Sequence, residues 1–461
     1  MINGDVSFWW HSIGLPTPGP ALPGDRDADV CIVGGGYTGL WTAYYLKRAD
    51  PSLRILVLEA RFCGYGASGR NGGWVTSSLA GTRRRYAETH GHDGVVALQH
   101  AMKDTVDEVI RVCAAEGIHA DVVKGGELSV AVNQAQLSRL HADVADAHEW
   151  GEPDYRLLDL DDARERLDVA HLVGAAWSPH CARIQPAKLA RGLAGVVQGL
   201  GVEVFESTPV LRIEPASGSR SARAVTGSGT VRAAYVLRAT EGFTAGLPGE
   251  RRTWLPMNSS LIATAPLPAS VWDEVGWAAY ETLGDQAHAY MYAQRTADDR
   301  IAIGGRGVPY RYGSRTDHDG VTHASTVAAL QEILHRLLPA TSEARIDHAW
   351  SGVLAVPRDW CSTAGVDRRT GLGWAGGYVG HGVATTNLAG RTLRDLVLGI
   401  PTELTALPWV GRTVRKWEPE PLRWIGVQTL YAAYRAADRR EQRGGPTARL
   451  ARLADRISAR T

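Results

Sequence analysis

The strongest constraint on this chain is a glycine spacing, Gly34-x-Gly36-x-x-Gly39, set between a short apolar run and a helix-forming one. Val30-Cys31-Ile32-Val33 predicts a buried strand, and Leu40 to Lys47 predicts a helix that Asp50-Pro51 stops. Ile55-Leu56-Val57-Leu58 predicts a second strand, followed by Glu59, twenty residues after Gly39. Each part has a task in a βαβ unit that holds a dinucleotide. Gly34 permits the tight turn, Gly36 lets backbone approach a pyrophosphate, and Gly39 lets helix and strand pack closely. The free N–H groups and positive end of the helix attract phosphate. Glu59 can accept hydrogen bonds from ribose hydroxyls and would repel a 2′-phosphate, which argues against NADP.

Two further glycine runs favour FAD over NAD. Gly64 to Gly73 follows the second strand and is too rich in glycine to be a regular element. It offers backbone N–H groups together with Ser68, Arg70 and Asn71 for a pyrophosphate and the ring beyond it. Far downstream, Gly373 to Gly382 leads directly into a predicted helix, Val383 to Leu398. A helix start there would stabilise the negative charge that reduction places on the N1–C2=O edge of a flavin. His381 is either an added donor to that edge or a structural histidine bonded to backbone; the sequence leaves both readings open.

These residues resemble the FAD-dependent glycine/D-amino-acid oxidase (DAO) superfamily, and most of all its γ-glutamylputrescine oxidase-type branch of amine oxidoreductases. The resemblance rests on Asp29 to Leu40, Glu59-Ala60-Arg61, Gly66 to Gly73, Gln185-Pro186, Ala239 to Gly242 and Gly376 to Gly382, and it covers roughly residues 25–400. It implies an α/β chain with a Rossmann-type FAD-binding lobe and an inserted α+β substrate lobe. It also implies that Tyr37, Thr38, Ala60, Arg61, Ala67, Gly72, Gly73, Gly377, Tyr378, Gly380, Gly382, Val383 and Ala384 lie at the cofactor. Val210 should meet the adenine side with its backbone, and Thr240 should lie near the pyrophosphate. The chain departs from the family in two places. Where some members tether flavin through a cysteine, this chain has Trp350-Ser351-Gly352, so FAD should be noncovalent. Where some place a lysine after the Gly-His-Gly turn, it has Ala384, which leaves open whether oxygen or another acceptor takes the electrons.

On this reading residues 1–27 form a leader, 28–98, 184–245 and 345–400 the discontinuous FAD lobe, 99–183 and 246–344 the substrate lobe, and 401–461 a C-terminal amphipathic extension packed on the FAD lobe. Phe8-Trp9-Trp10 should pin the leader to the body. If His288 to Ala293 is a strand, His288, Tyr290 and Tyr292 share one face, and the two tyrosines would shape an amine pocket. Arg306 is a candidate for holding a substrate carboxylate, and Trp350 either walls the cavity or fills core.

The chain has 461 residues with a net charge of +1, which gives no sign of nucleic-acid or anionic-membrane binding. Its five cysteines are scattered, so neither a disulfide framework nor a metal site is suggested. No apolar run reaches the roughly 18–20 residues of a membrane span. The expectation is a cytoplasmic monomer or homodimer that oxidises an amine or amino acid by hydride transfer to FAD. The alternatives are a flavin-dependent oxidoreductase or monooxygenase acting on a non-amine metabolite, and a non-catalytic FAD-fold protein.

Overall fold

The computed structural model of the protein describes residues 1–305, 307, 309–316, 319–446 and 454. The strand–turn–helix–strand unit forms as its spacing requires: Arg26–Val33, Tyr37–Ala49 and Ile55–Leu58, with Gly36 as the helix N-cap. Gly34 has φ of 112°, and a Cβ there would lie 2.6 Å from the Ala239 carbonyl oxygen. The turn therefore excludes side chains for both conformational and steric reasons.

Around this unit, five strands run parallel: Glu203–Phe205, Ile55–Leu58, Arg26–Val33, Thr230–Arg238 and Leu372–Gly376. Antiparallel strands at one side complete an eight-stranded sheet. Helices Tyr37–Ala49 and Gly382–Leu398 pack together through small residues; a Cβ on Gly390 would lie 2.8 Å from Trp41 backbone. The residues opposite in sequence thus become neighbours, and the two helices start at the same cavity.

A second, nine-stranded mixed sheet is built mainly from the middle of the chain. At one end Ile346–Val356 pairs with Leu255–Thr264 and with the leader strand Ile2–Asn3. Of the span 345–400 expected in the FAD lobe, Ile346–Val356 pairs into this second sheet while Leu372–Gly376 stays in the first, and the leader's Ile2–Asn3 adds one more strand to the second. Its apolar side chains form a core that includes Leu128, Ile262, Ile301 and Leu330.

The leader is not extended throughout. Phe8–Ile13 is a short helix capped by Ser7, and Phe8, Trp9 and Trp10 are buried. Ser7 Oγ donates to the Gly69 carbonyl at 2.7 Å, Trp9 Nε1 to Asn71 at 2.8 Å and Trp10 Nε1 to Gly64 at 3.3 Å. Three bonds from the leader therefore shape the glycine run 64–73, which has no ladder of its own to hold it.

Candidate functional site

A cavity of about 700 Å³ runs between the two sheets, bounded by the helix starts at Gly36 and His381. Glu59, Ala60, Arg61 and Val210 line it. So do Gly34, Gly36, Tyr37, Thr38, Ala67, Ser68, Arg70, Asn71, Gly72 and Thr240. Tyr378, Gly380, His381, Gly382 and Val383 line it as well, together with Tyr290 and Tyr292. The chain positions expected to hold a dinucleotide and those expected to meet a substrate thus share one continuous space.

Four other expected cofactor residues lie behind the wall. Gly39 is at the helix–strand contact, where a Cβ would meet the Gly34 carbonyl oxygen at 2.0 Å. Gly73 sits under Gln294, and Gly377 gives its N–H to Glu241. Ala384 is fully buried within the helix. Of the two readings left open for Trp350, the structure shows the core one. It is fully buried, donates to the Arg70 carbonyl at 2.9 Å and packs edge-on against Trp9. Its large ring is drawn to the aromatic cluster of the leader, so it supports the wall without forming it. Arg306 lies outside the described residues.

The expected strand His288–Ala293 is also corrected. The strand is Tyr292–Arg295, and the residues before it form a loop. Asp285 closes that loop by accepting from the Met291 N–H at 2.9 Å. His288 consequently leaves the tyrosine face: its Nε2 lies 3.0 Å from Glu441, and its ring stacks on Tyr434. Tyr292 keeps its place, with its hydroxyl 2.8 Å from Ser259 Oγ and its ring edge-on to Trp74.

The polar groups of the cavity are held from behind. Ser68 Oγ accepts from the Tyr37 N–H at 2.8 Å, which ties the glycine run to the first helix start. Asn71 donates to the carbonyls of Ala67 and Ser68 and accepts from the Gly73 N–H, folding the run on itself. Arg70 donates to the carbonyls of Tyr65 and Ser351 and lies over the Tyr65 ring. The Glu59 carboxylate accepts from the N–H groups of Gly35 and Arg61 and still has acceptor positions facing the cavity. Burial raises its pKa.

Glu241 is a residue that the sequence reading quoted but did not place in the site. It lines the cavity with a φ of 41°, unusual for a side chain of this size. Its carboxylate accepts from Gly377 at 2.9 Å, Ala355 at 3.1 Å and Tyr378 at 3.3 Å, clasping the downstream glycine loop to the second sheet. Its position within Ala239-Thr240-Glu241-Gly242 was the only sequence signal. Burial pushes its pKa from 4.5 up to about 7, against the opposing pull of those three amides. Arg238 also lowers it. The folded protein thus holds a proton that the unfolded chain releases above about pH 4.5, so this contribution is full below that pH and lost as pH rises through 7. The melting temperature of FAD-free protein should fall between those pH values, and Glu241→Gln should make the fall shallower. Equal slopes in parent and variant would assign the effect elsewhere, for instance to Asp143 and Asp285, which burial raises to about 6.

The second helix start needs no side-chain cap. The His381 N–H donates to the Tyr378 carbonyl at 2.9 Å, and the His381 carbonyl accepts from Thr385 Oγ1 at 2.6 Å. Gly382 and Val383 line the cavity immediately after it. The two helix starts, the glycine walls and the Glu59 carboxylate fit a long, phosphate-bearing cofactor with a flat ring. All five cysteines are buried and free, and none is among the described lining residues. Among the described residues, no helix is long and apolar enough to cross a membrane.

Comparisons with known proteins agree with this geometry. The family profile described as DAO, FAD dependent oxidoreductase, matches residues 29–396. The γ-glutamylputrescine oxidoreductase of Escherichia coli is 29% identical, over 87% of this chain and 90% of that protein. A probable oxidoreductase OrdL of Haemophilus influenzae is 28% identical over 85% of this chain and 88% of its own. Among solved structures, glycine oxidase from Geobacillus kaustophilus superposes with a TM-score of 0.69 at 22% identity, covering 84% of this chain and all of that one.

Proposed function

Because the chain belongs to the DAO family of FAD-dependent oxidoreductases, we propose that it oxidises the C–N bond of an amine or amino acid, with FAD held noncovalently. When bound, FAD supplies a hydride acceptor at N5 and gathers the resulting negative charge at its N1–C2=O edge. The observation that carries the reading is the single cavity that joins the dinucleotide turn to Tyr290 and Tyr292. Glu59 would hold the ribose, and the amides after Gly36 the pyrophosphate. The N-terminus of Gly382–Leu398, with His381, would stabilise negative charge on the ring. Tyr290 and Tyr292 would orient a neutral amine and exclude water from it. Such a reaction needs little acid–base machinery, because positioning a neutral amine supplies much of the barrier reduction.

Oxygen or another molecule would take the electrons; Ala384 offers no cationic side chain to assist oxygen. The free cysteines suit a reducing compartment, and we place the protein in the cytoplasm as a monomer or homodimer. The test is anaerobic mixing of the purified yellow protein with a panel of amines and amino acids, without NAD(P)H. Bleaching of the flavin band by one of them is expected, and acid precipitation should then leave the flavin in the supernatant. Bleaching that requires NAD(P)H would overturn the amine reading. Flavin that pellets with the polypeptide would overturn the noncovalent one.

A further inference from the structure

The C-terminal helix Leu422–Gln442 buries one stripe, Arg423, Val427, Tyr431, Tyr434, Ala437 and Glu441, at spacings of three and four residues. It was expected to pack on the FAD lobe. The segment before it touches both sheets: the Gly411 N–H donates at 2.8 Å to the Ala364 carbonyl in Thr363–Asp367, an edge strand of the first, and Trp417 Nε1 donates at 2.7 Å to the Val356 carbonyl in the second, while the helix itself crosses two loops beside the cavity. At its start Glu420 accepts from the Gly313 N–H at 3.0 Å and from the Tyr310 hydroxyl, holding the loop that brings Thr316 to the cavity. At its end Asp438 accepts from the backbone N–H groups of His288 at 2.8 Å and Ala289 at 2.9 Å. One turn later Glu441 pairs with Arg139 at 2.7 and 3.1 Å and with His288 at 3.0 Å.

The geometry points to this helix as a positioning strap for the substrate side of the cavity: Asp438 and Glu441 fix the loop before Tyr292 and so place Tyr290 against the bound substrate. Tyr290 is one residue beyond the two amides that Asp438 holds and lines the cavity. Among the described residues, the strand ladder on this side begins two residues further on, at Tyr292. Asp285 closes the loop from its base, and Asp438 holds its tip from 150 residues away. His288, Asp438 and Glu441 have the composition of a metal site, but Arg139 occupies both Glu441 oxygens, and backbone amides occupy both of Asp438's. A cation has no such opening, and a loop anchor explains every one of these bonds.

The inference rests on the amine reading for its kinetic arm only. In FAD-loaded full-length protein, Asp438→Ala should speed amide hydrogen exchange at residues 288 and 289 by at least about tenfold, since both amides lose their acceptor. Asp438→Asn, which can accept only one of them, should fall between. With the amine found by bleaching, Asp438→Ala should raise the apparent dissociation constant about tenfold, with the limiting reduction rate and FAD content changed less than about twofold. Arg439→Ala, on the exposed face of the same turn, should change none of these. Sulfite, a small nucleophile that adds to flavin N5, gives an arm that needs no amine: its addition rate should change at least about threefold in Asp438→Ala. Faster exchange with unaltered amine affinity and sulfite rate would overturn the strap and leave a purely structural anchor. Unaltered exchange would overturn the anchor as well. If no amine bleaches the flavin, the functional reading fails, while exchange and sulfite still decide the strap.

Discussion

Gly39→Ala is expected to yield a protein that loses FAD on gel filtration and melts well below its parent. The first added carbon would stand 2.0 Å from the Gly34 carbonyl oxygen and 3.1 Å from Ile32 Cγ2. The carbonyl belongs to the cofactor turn itself, so no side-chain rotation relieves the contact. The helix must move off the strand, and the amides at its start move with it. Overpacking in a core costs about 1–3 kcal/mol and more when backbone must shift. A displacement that removes two phosphate-directed amides should weaken FAD at least about a hundredfold, or about 3 kcal/mol. Gly195→Ala is the matched control. It lies within helix Pro186–Gly199 with nothing within 4 Å of an added Cβ, and should stabilise by up to about 1 kcal/mol. Parent-like FAD retention in Gly39→Ala would remove the close-packing account of this glycine.

His381→Ala should slow reduction of the flavin by the amine on the order of 10²-fold, about 3 kcal/mol, and lower the flavin potential. The reason is the loss of one donor that would face the edge of the ring where reduction gathers negative charge. The variant is interpretable because the helix start is held by backbone: His381 N–H to Tyr378 and Thr385 Oγ1 to the His381 carbonyl survive the substitution. Stopped-flow reduction, corrected for flavin content, separates the two roles left open by the sequence. A slow rate in fully loaded protein assigns the ring an electrostatic task. A normal rate with reduced FAD occupancy or a lower melting temperature assigns it a structural one. The helix-terminus argument stands in either case, because it rests on the backbone N–H groups of Gly382 and Val383.

The βαβ unit and its glycine turn are legible in short stretches of the chain. Gly34, Gly36 and Gly39 obey steric limits set within a few residues, and the strand and helix on either side are read from local periodicity. Glu59 follows from the length of one βαβ unit. The two distant glycine runs could be joined because a cofactor that needs one needs the other. The helix Gly382–Leu398 is legible for the same local reason.

The substrate side depends on contacts between residues far apart in the chain. Trp350 reads as a plausible wall until Phe8 and Trp9, some 340 residues earlier, are found packed against it. The alternation of His288, Tyr290 and Tyr292 reads as a strand face until Asp285 and Asp438 take the amides that a strand would have given to a neighbour. Glu241 looks like an ordinary acid after a strand, and its three amide partners come from two other segments. In each case the deciding partner is remote in sequence. A short-range pattern fixes backbone periodicity and sterics, whereas the direction of a polar side chain is set by whichever distant donor or acceptor the fold brings within about 3 Å.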